Sequence, residues 1–213
     1  MRSSRNCIAM PVHTSTPKEI TKHIRQLIAK VAPGRDAKYL AVRPQDGAKV
    51  NECFPNVEAK ISHAGGRMLC GWQIWEWPYV LVEAEFHAVW VSPEGELVEI
   101  TPKQHGEETI LFVPDPALTY AGLAKDNVRV AVRDDLLVHH FIRVSEEIVK
   151  VMNRGDRAGQ YGYVSVPAHE FEPLRNAQAF LVHSISTGLR DHSPCLCGSG
   201  RKYKQCHSRD FSL

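Results

Sequence analysis

The spacing of apolar residues predicts helices at both ends of the chain and a run of strands between them. A first helix is predicted from a capping box at Thr16 to the breakers at Pro33 and Gly34, with an apolar stripe along one side. Further helices are predicted over residues 51–64, 135–153 and 173–186, and strands over 39–42, 67–77, 79–92, 96–101, 110–113 and 128–133. This order of elements predicts an α+β fold with a mainly antiparallel sheet.

The clearest strand pattern is the run Tyr79–Ser92, in which apolar and polar side chains alternate. A Pro-Glu-Gly turn follows and favours a three-residue hairpin loop. The register that pairs Ser92 with Glu96 makes the apolar faces of the two strands coincide. It also places His87 diagonal to Glu99 on the polar face, where long side chains can touch.

Composition adds limits on the class of protein. With 43% hydrophobic and 23% charged residues, the 213-residue chain has room for one sizeable core and a small appendage. The net charge of +2 argues against a nucleic-acid surface along the whole chain. No apolar stretch is long enough for a membrane span or a secretion signal. Cys7, Cys53 and Cys70 do not make a disulfide framework, so we expect a reducing cytoplasm.

The last twenty residues contain four potential metal ligands, Cys195, Cys197, Cys206 and His207, within thirteen positions. Zinc favours a tetrahedron of thiolate and imidazole ligands. The glycines between the ligands allow a tight turn that points backbone N–H groups at sulfur. A reduced tail with incidental cysteines is the alternative, but the ligand count and spacing favour a closed structural Zn²⁺ site.

The string PCLCGSGRKYKQCH resembles the SEC-C motif, the zinc-binding tail of the SecA motor of bacterial protein export. The resemblance covers residues 194–208 and has His207 where many members have cysteine. It implies a bacterial chain with a docking module, since in SecA the motif binds the chaperone SecB and the ribosome. The same stretch is basic, with Arg201, Lys202, Lys204 and Arg209. These side chains suit ribosomal RNA or an acidic protein face, or else form a solvated charged surface.

A second group of residues, Cys53, His87 and Glu99, points to catalysis. Cys53 lies at or just before the start of a predicted helix, where the helix dipole favours a thiolate. A carboxylate beside the imidazole can orient the ring and raise its basicity. The element order and the stretch EFHAVWVSPEGELVEITP resemble the transglutaminase-like and papain-like cysteine enzymes over about residues 50–102. The resemblance implies Cys53 as nucleophile, His87 as general base and Glu99 as orienting acid, where the superfamily usually has aspartate.

Each of these residues also has an ordinary structural interpretation, such as a buried thiol or a satisfied core histidine. We expect an α+β domain with a papain-like or transglutaminase-like core over residues 1–190 and a zinc-binding tail over residues 191–213. The predicted function is cysteine-dependent acyl transfer on a peptide or protein amide, as a hydrolase or a transglutaminase/deamidase. The alternative is a non-enzymatic adaptor that binds a ribosome, chaperone or other protein through the tail.

Overall fold

Strands occupy the middle of the chain and helices flank them, as the apolar pattern predicts. The computed structural model describes residues 14–123, 125–158, 160 and 164–207. The described elements are α1 (Lys22–Val31), β1 (Lys38–Ala41), α2 (Cys53–Ala64), β2 (Arg67–Trp77), β3 (Leu81–Val91), β4 (Leu97–Val98), β5 (Thr109–Pro114), β6 (Val128–Ala131), α3 (Leu136–Met152), α4 (Ala168–Ser186) and α5 (Tyr203–Cys206). The predicted α+β class with a mainly antiparallel sheet is confirmed. None of the described helices combines the length and apolarity that crossing a membrane requires.

The strands form one sheet in the order β1-β5-β2-β3-β4, and β6 also pairs with β3. The sheet curls until its ends meet, because Val42 bridges to Glu99 and the Arg43 N–H donates to the Glu99 carbonyl oxygen at 2.8 Å. Along one edge of β3, β6 pairs with Leu81–Ala84 and β4 with Trp90–Val91. Between these two paired segments, the part of β3 that contains His87 pairs with neither β4 nor β6 on this edge.

The two faces of the sheet belong to different cores. One face packs against α1 and α2, in a cluster that includes Ile24, Leu27, Val57, Trp72, Ile74, Phe86 and Ala88. The other face lines the inside of the curled sheet, where Leu40, Val89, Ile110 and Phe112 form a cluster. Because side chains alternate along a strand, His87 shares the inner face with Val89. Opposite His87 in β2 stands Gly71, where an added Cβ would lie 2.2 Å from the Val113 carbonyl oxygen.

A separate core joins α3 and α4 to the C-terminal segment. Its buried members are Trp77, Val80, Leu81, Leu137, Val138, Phe141, Val144, Leu181, Val182, Ile185, Leu189, Cys195 and Tyr203. The segment that follows α4 therefore packs on the helices instead of projecting from them. The division of the chain at residue 190 stays a prediction.

Three predicted element boundaries are wrong, each for a local reason. Helix α1 begins at Lys22 because Thr21 is its N-cap, and the predicted cap Thr16 donates instead to the Thr109 carbonyl oxygen at 2.7 Å. Strand β4 ends after two residues, since the chain turns at Glu99 to pair with the extension of β1. Helix α4 begins at Ala168 and contains the proline that was expected to start it.

Candidate metal centre and buried cysteine–histidine–glutamate site

The tail brings its four predicted ligands together. The ligand atoms of Cys195, Cys197, Cys206 and His207 all lie within 4.8 Å of one another. Cys195 Sγ is 3.1 Å from His207 Nδ1, and Cys197 Sγ is 3.4 Å from Cys206 Sγ. Metal–ligand distances of about 2.0–2.3 Å place the ligands of a tetrahedral site roughly 3.3–3.8 Å apart. The two shortest separations lie close to this range, so the three thiols and one imidazole are positioned to bind a four-coordinate metal ion.

The backbone of the tail explains this convergence. Gly198 and Gly200 have φ of 77° and 72°, in the left-handed region that glycine adopts without strain. The Cys195 N–H donates to the Arg201 carbonyl oxygen at 2.8 Å and closes the turn between the first two cysteines and α5. Helix α5 then supplies Cys206, and His207 follows directly.

Tyr203 anchors this centre to the rest of the protein. Its side chain is fully buried, and its hydroxyl is hydrogen-bonded to His140 Nδ1 on α3 at 2.9 Å. The His207 ring stacks on Tyr203 with a centroid distance of 5.8 Å and also contacts Phe180 of α4. Neighbours that fix the orientation of a ligand ring tune metal affinity. His140 and Tyr203 are 63 residues apart, so no local pattern in the sequence indicates this contact.

The thiols of the cluster differ in acidity. Hydrogen bonding to Ser199 lowers the pKa of Cys197 to about 7. Burial raises the pKa of Cys195 to about 11. A thiol must lose its proton to bind a metal ion, so metal binding here releases protons.

The second predicted group is also brought together, around His87. Glu99 is completely buried and His87 is 3% exposed, and His87 Nε2 lies 2.5 Å from Glu99 Oε2. The other carboxylate oxygen accepts the Thr101 N–H at 2.6 Å. The hairpin has the predicted register, with the Ser92 N–H donating to the Glu96 carbonyl oxygen. The face that the sequence indicated as polar is therefore enclosed by the curled sheet.

Cys53 approaches His87 where the edge of β3 has no strand beside it. It is the first residue of α2, and the proximity of its thiol contributes to the raised pKa of the His87 ring. The start of α2 is tied to the segment after Glu99, because Asn56 Nδ2 donates to Thr101 Oγ1 at 3.3 Å. Glu99 is hydrogen-bonded to Nε2 of the imidazole ring, so the second ring nitrogen, Nδ1, can bind another partner. Cys53 itself is 7% exposed.

His87 and Glu99 each stabilise the charged form of the other. Burial opposes the charged ring, but the Glu99 carboxylate and the Cys53 thiol outweigh it and raise the pKa of His87 to about 10. Burial likewise opposes the carboxylate, but His87, Lys103 and the Thr101 N–H hold the pKa of Glu99 below its ordinary value. The pair is therefore imidazolium and carboxylate at neutral pH. The catalytic roles of Cys53, His87 and Glu99 stay predictions.

Sequence reasoning missed Lys103, which completes this polar group. Its Nζ lies 3.2 Å from Glu99 Oε2 and 3.5 Å from His87 Nε2, and it donates to Gln73 Oε1 at 2.9 Å. The side chain is only 6% exposed. Lys103 follows a short strand and Pro102, so no periodicity of the sequence indicates that it turns inward.

Two surface cavities lie away from this group. One of about 580 Å³ is lined by residues that include Lys38 and Arg67. The other, of about 520 Å³, is lined by residues that include Tyr39 and Glu108. Neither is lined by Cys53 or by its partners.

Comparison with known proteins supports the tail alone. The SEC-C motif model matches residues 193–209, which include all four ligands. No curated protein and no solved structure matches the chain, and the transglutaminase-like resemblance gains no support from these comparisons. The C-terminal segment thus matches the SEC-C motif and has its cysteines and histidine positioned to bind a metal ion.

Proposed function

We propose that the main part of the chain is a cysteine-dependent acyl-transfer enzyme acting on a peptide or protein amide. The observation that carries the proposal is the position of the His87 ring, which interacts with both the Cys53 thiol and the Glu99 carboxylate. A nucleophile, a proton carrier and an orienting acid close to one another are the parts that such chemistry needs. The start of α2 adds backbone N–H groups next to the nucleophile.

The proposed reaction has two steps with balanced proton transfers. The Cys53 thiolate attacks the amide carbonyl carbon, the carbon–nitrogen bond breaks, and His87 gives its proton to the departing amine. Water or a second amine then attacks the thioester carbonyl, His87 accepts a proton from it, and the Cys53 thiolate leaves. Glu99 stays ionised throughout and keeps the ring in place.

For the tail, we propose that the bound ion is Zn²⁺. Three thiolates and an imidazole are the ligand set that zinc prefers in structural sites, and four protein ligands leave no position for a reacting water. The metal would fix the fold of the tail and would not take part in the acyl transfer.

We also propose that the tail docks the protein on a partner in a reducing bacterial cytoplasm. Arg201 and Lys202 are exposed and Lys204 is half-buried, so the surface beside the metal centre is basic. Such a surface suits ribosomal RNA or an acidic protein face. Arg209, the fourth basic residue of the prediction, lies outside the described residues. The cysteines that the structure describes are all free thiols, which fits a reducing compartment.

The enzymatic proposal is tested with an activated ester, p-nitrophenyl acetate, on the zinc-loaded protein. We expect a burst of about one p-nitrophenol per chain as the acyl-enzyme forms. Cys53→Ala should abolish the burst, and Cys70→Ala should keep it, because Cys70 is a comparably buried thiol outside the proposed mechanism. A burst that survives in Cys53→Ala refutes the proposal.

A non-enzymatic adaptor is the second candidate. The burial of Cys53 and the position of both cavities away from it favour this alternative. A folded wild-type protein that shows no burst, but binds a partner through its metal-loaded tail, would establish the adaptor.

A further inference from the structure

Lys103 is held in a fixed place beside the two charged members of the proposed site. It shares Glu99 Oε2 with His87, and its second acceptor is the amide oxygen of Gln73 on β2. Gln73 is 1% exposed, and its amide nitrogen has no hydrogen-bond partner in the described part of the chain. The amide thus presents its oxygen to Lys103 and leaves its own nitrogen unpaired.

This arrangement places two cations on one carboxylate in a buried site. Lys103 Nζ is 3.5 Å from His87 Nε2, so the two positive charges repel each other, while the Glu99 carboxylate attracts both. Like charges at this distance repel strongly where water is excluded. The Lys103 ammonium therefore lowers the pKa of His87, whereas the Glu99 carboxylate raises it.

We propose that Lys103 is a positioning residue of the Cys53–His87–Glu99 site, which fixes the Glu99 carboxylate and limits how firmly the imidazole keeps its proton. The inference rests on the proposed function, since a ring held permanently as imidazolium could not accept a proton in the second step. Lys103 touches neither the nucleophile nor the reacting carbonyl in this scheme, and it acts through His87 and Glu99.

Among the residues that the structure describes, the groups that face His87 come from α2, β2, β5 and the segment after β4. Cys53 approaches from α2, and Glu99 and Lys103 approach from the segment after β4. Gln73 of β2 and the Phe112 ring of β5, 6.4 Å from the imidazole centroid, are neutral. Among these groups, Lys103 supplies the positive charge that lowers the pKa of His87.

The test measures the titration of the His87 ring by NMR in wild type, Lys103→Met and Lys103→Arg. Removing a charge this close should raise the pKa of His87 by about one unit or more in Lys103→Met. Lys103→Arg keeps the charge and should stay near wild type. Lys103→Gln, which keeps a hydrogen bond to Glu99, serves as the neutral variant if Lys103→Met does not fold.

A second readout follows the alkylation of Cys53 by iodoacetamide against pH, with mass spectrometry. The alkaline step of this profile reports the loss of the His87 proton and should move upward in the neutral variant by the same amount. An unchanged or lowered titration of His87 in a folded neutral variant overturns the inference. If Cys53 instead reacts like an ordinary thiol, the proposed function fails, and the NMR titration still shows whether Lys103 acts on the ring.

Discussion

Replacing Glu99 by Gln removes the one negative charge that His87 and Lys103 share. The side chain keeps its size, and its remaining oxygen can still accept the Thr101 N–H. The new amide nitrogen, however, brings N–H donors to the position where two donors already converge. We therefore expect Glu99→Gln to destabilise the fold at neutral pH while leaving the size of the core unchanged.

The expected cost follows from the burial of the partners. Glu99 is 0% exposed, and the side chains of His87 and Lys103 are 4% and 6% exposed, so water cannot replace the lost charge. Removing one partner of a buried ion pair costs about 3–5 kcal/mol. Such a loss is a large part of the ~5–15 kcal/mol that stabilises a typical domain.

Urea denaturation followed by circular dichroism, at constant zinc concentration, measures this cost. Glu96→Gln is the matched control from the same hairpin, since its ion pair with Arg43 is 57% exposed on the glutamate side. An exposed pair of this kind contributes about 0–1 kcal/mol. If Glu99→Gln costs no more than Glu96→Gln, the buried ion pair does not exist as described.

Three further predictions concern the metal centre and pH. If the proposed zinc site is correct, Cys206→Ser should fail to retain zinc and should lower the melting temperature. Leu196→Ser, an exposed neighbour of two ligands, should keep one zinc per chain by metal analysis. Since the folded pKa of His87 is raised, its contribution is complete below about pH 6.5 and is lost as the pH rises to about 10. The free energy of unfolding, measured by urea denaturation, should therefore fall over that pH range in the wild-type protein. This fall should be absent in His87→Gln. Tyr203→Phe removes the hydrogen bond to His140 and should cost about 1 kcal/mol in the same assay, and an unchanged stability would contradict that anchor.

Much of the sheet could be predicted because its signal is local. Alternation along β3 and the glycine turn after Ser92 predict the register of the β3–β4 hairpin from neighbouring residues alone. The start of α1 is not predictable from local sequence, because Thr16 and Thr21 are both good caps and the contact of Thr16 with β5 excludes the first. Local propensity cannot decide between two possible N-caps when the side chain of one of them is hydrogen-bonded to a strand distant in sequence.

The candidate site was partly predictable for the same reason. His87 and Glu99 belong to one hairpin, so register alone brings them near each other. Their burial was not predictable, because it depends on the curling of the sheet and on the bridge between Val42 and Glu99. The inward turn of Lys103 and the contact of Tyr203 with α3 likewise arise from packing between distant segments.

The reactivity of Cys53 tests the central claim most directly. Cys70 is the internal reference, since it is similarly buried at 5% exposure and burial raises the pKa of its thiol. Below pH 7, mass spectrometry after brief iodoacetamide treatment should show Cys53 alkylated about tenfold faster than Cys70, and His87→Gln should slow Cys53 while leaving Cys70 unchanged. Equal rates for the two thiols in the wild-type protein would contradict a nucleophile activated by His87 and Glu99.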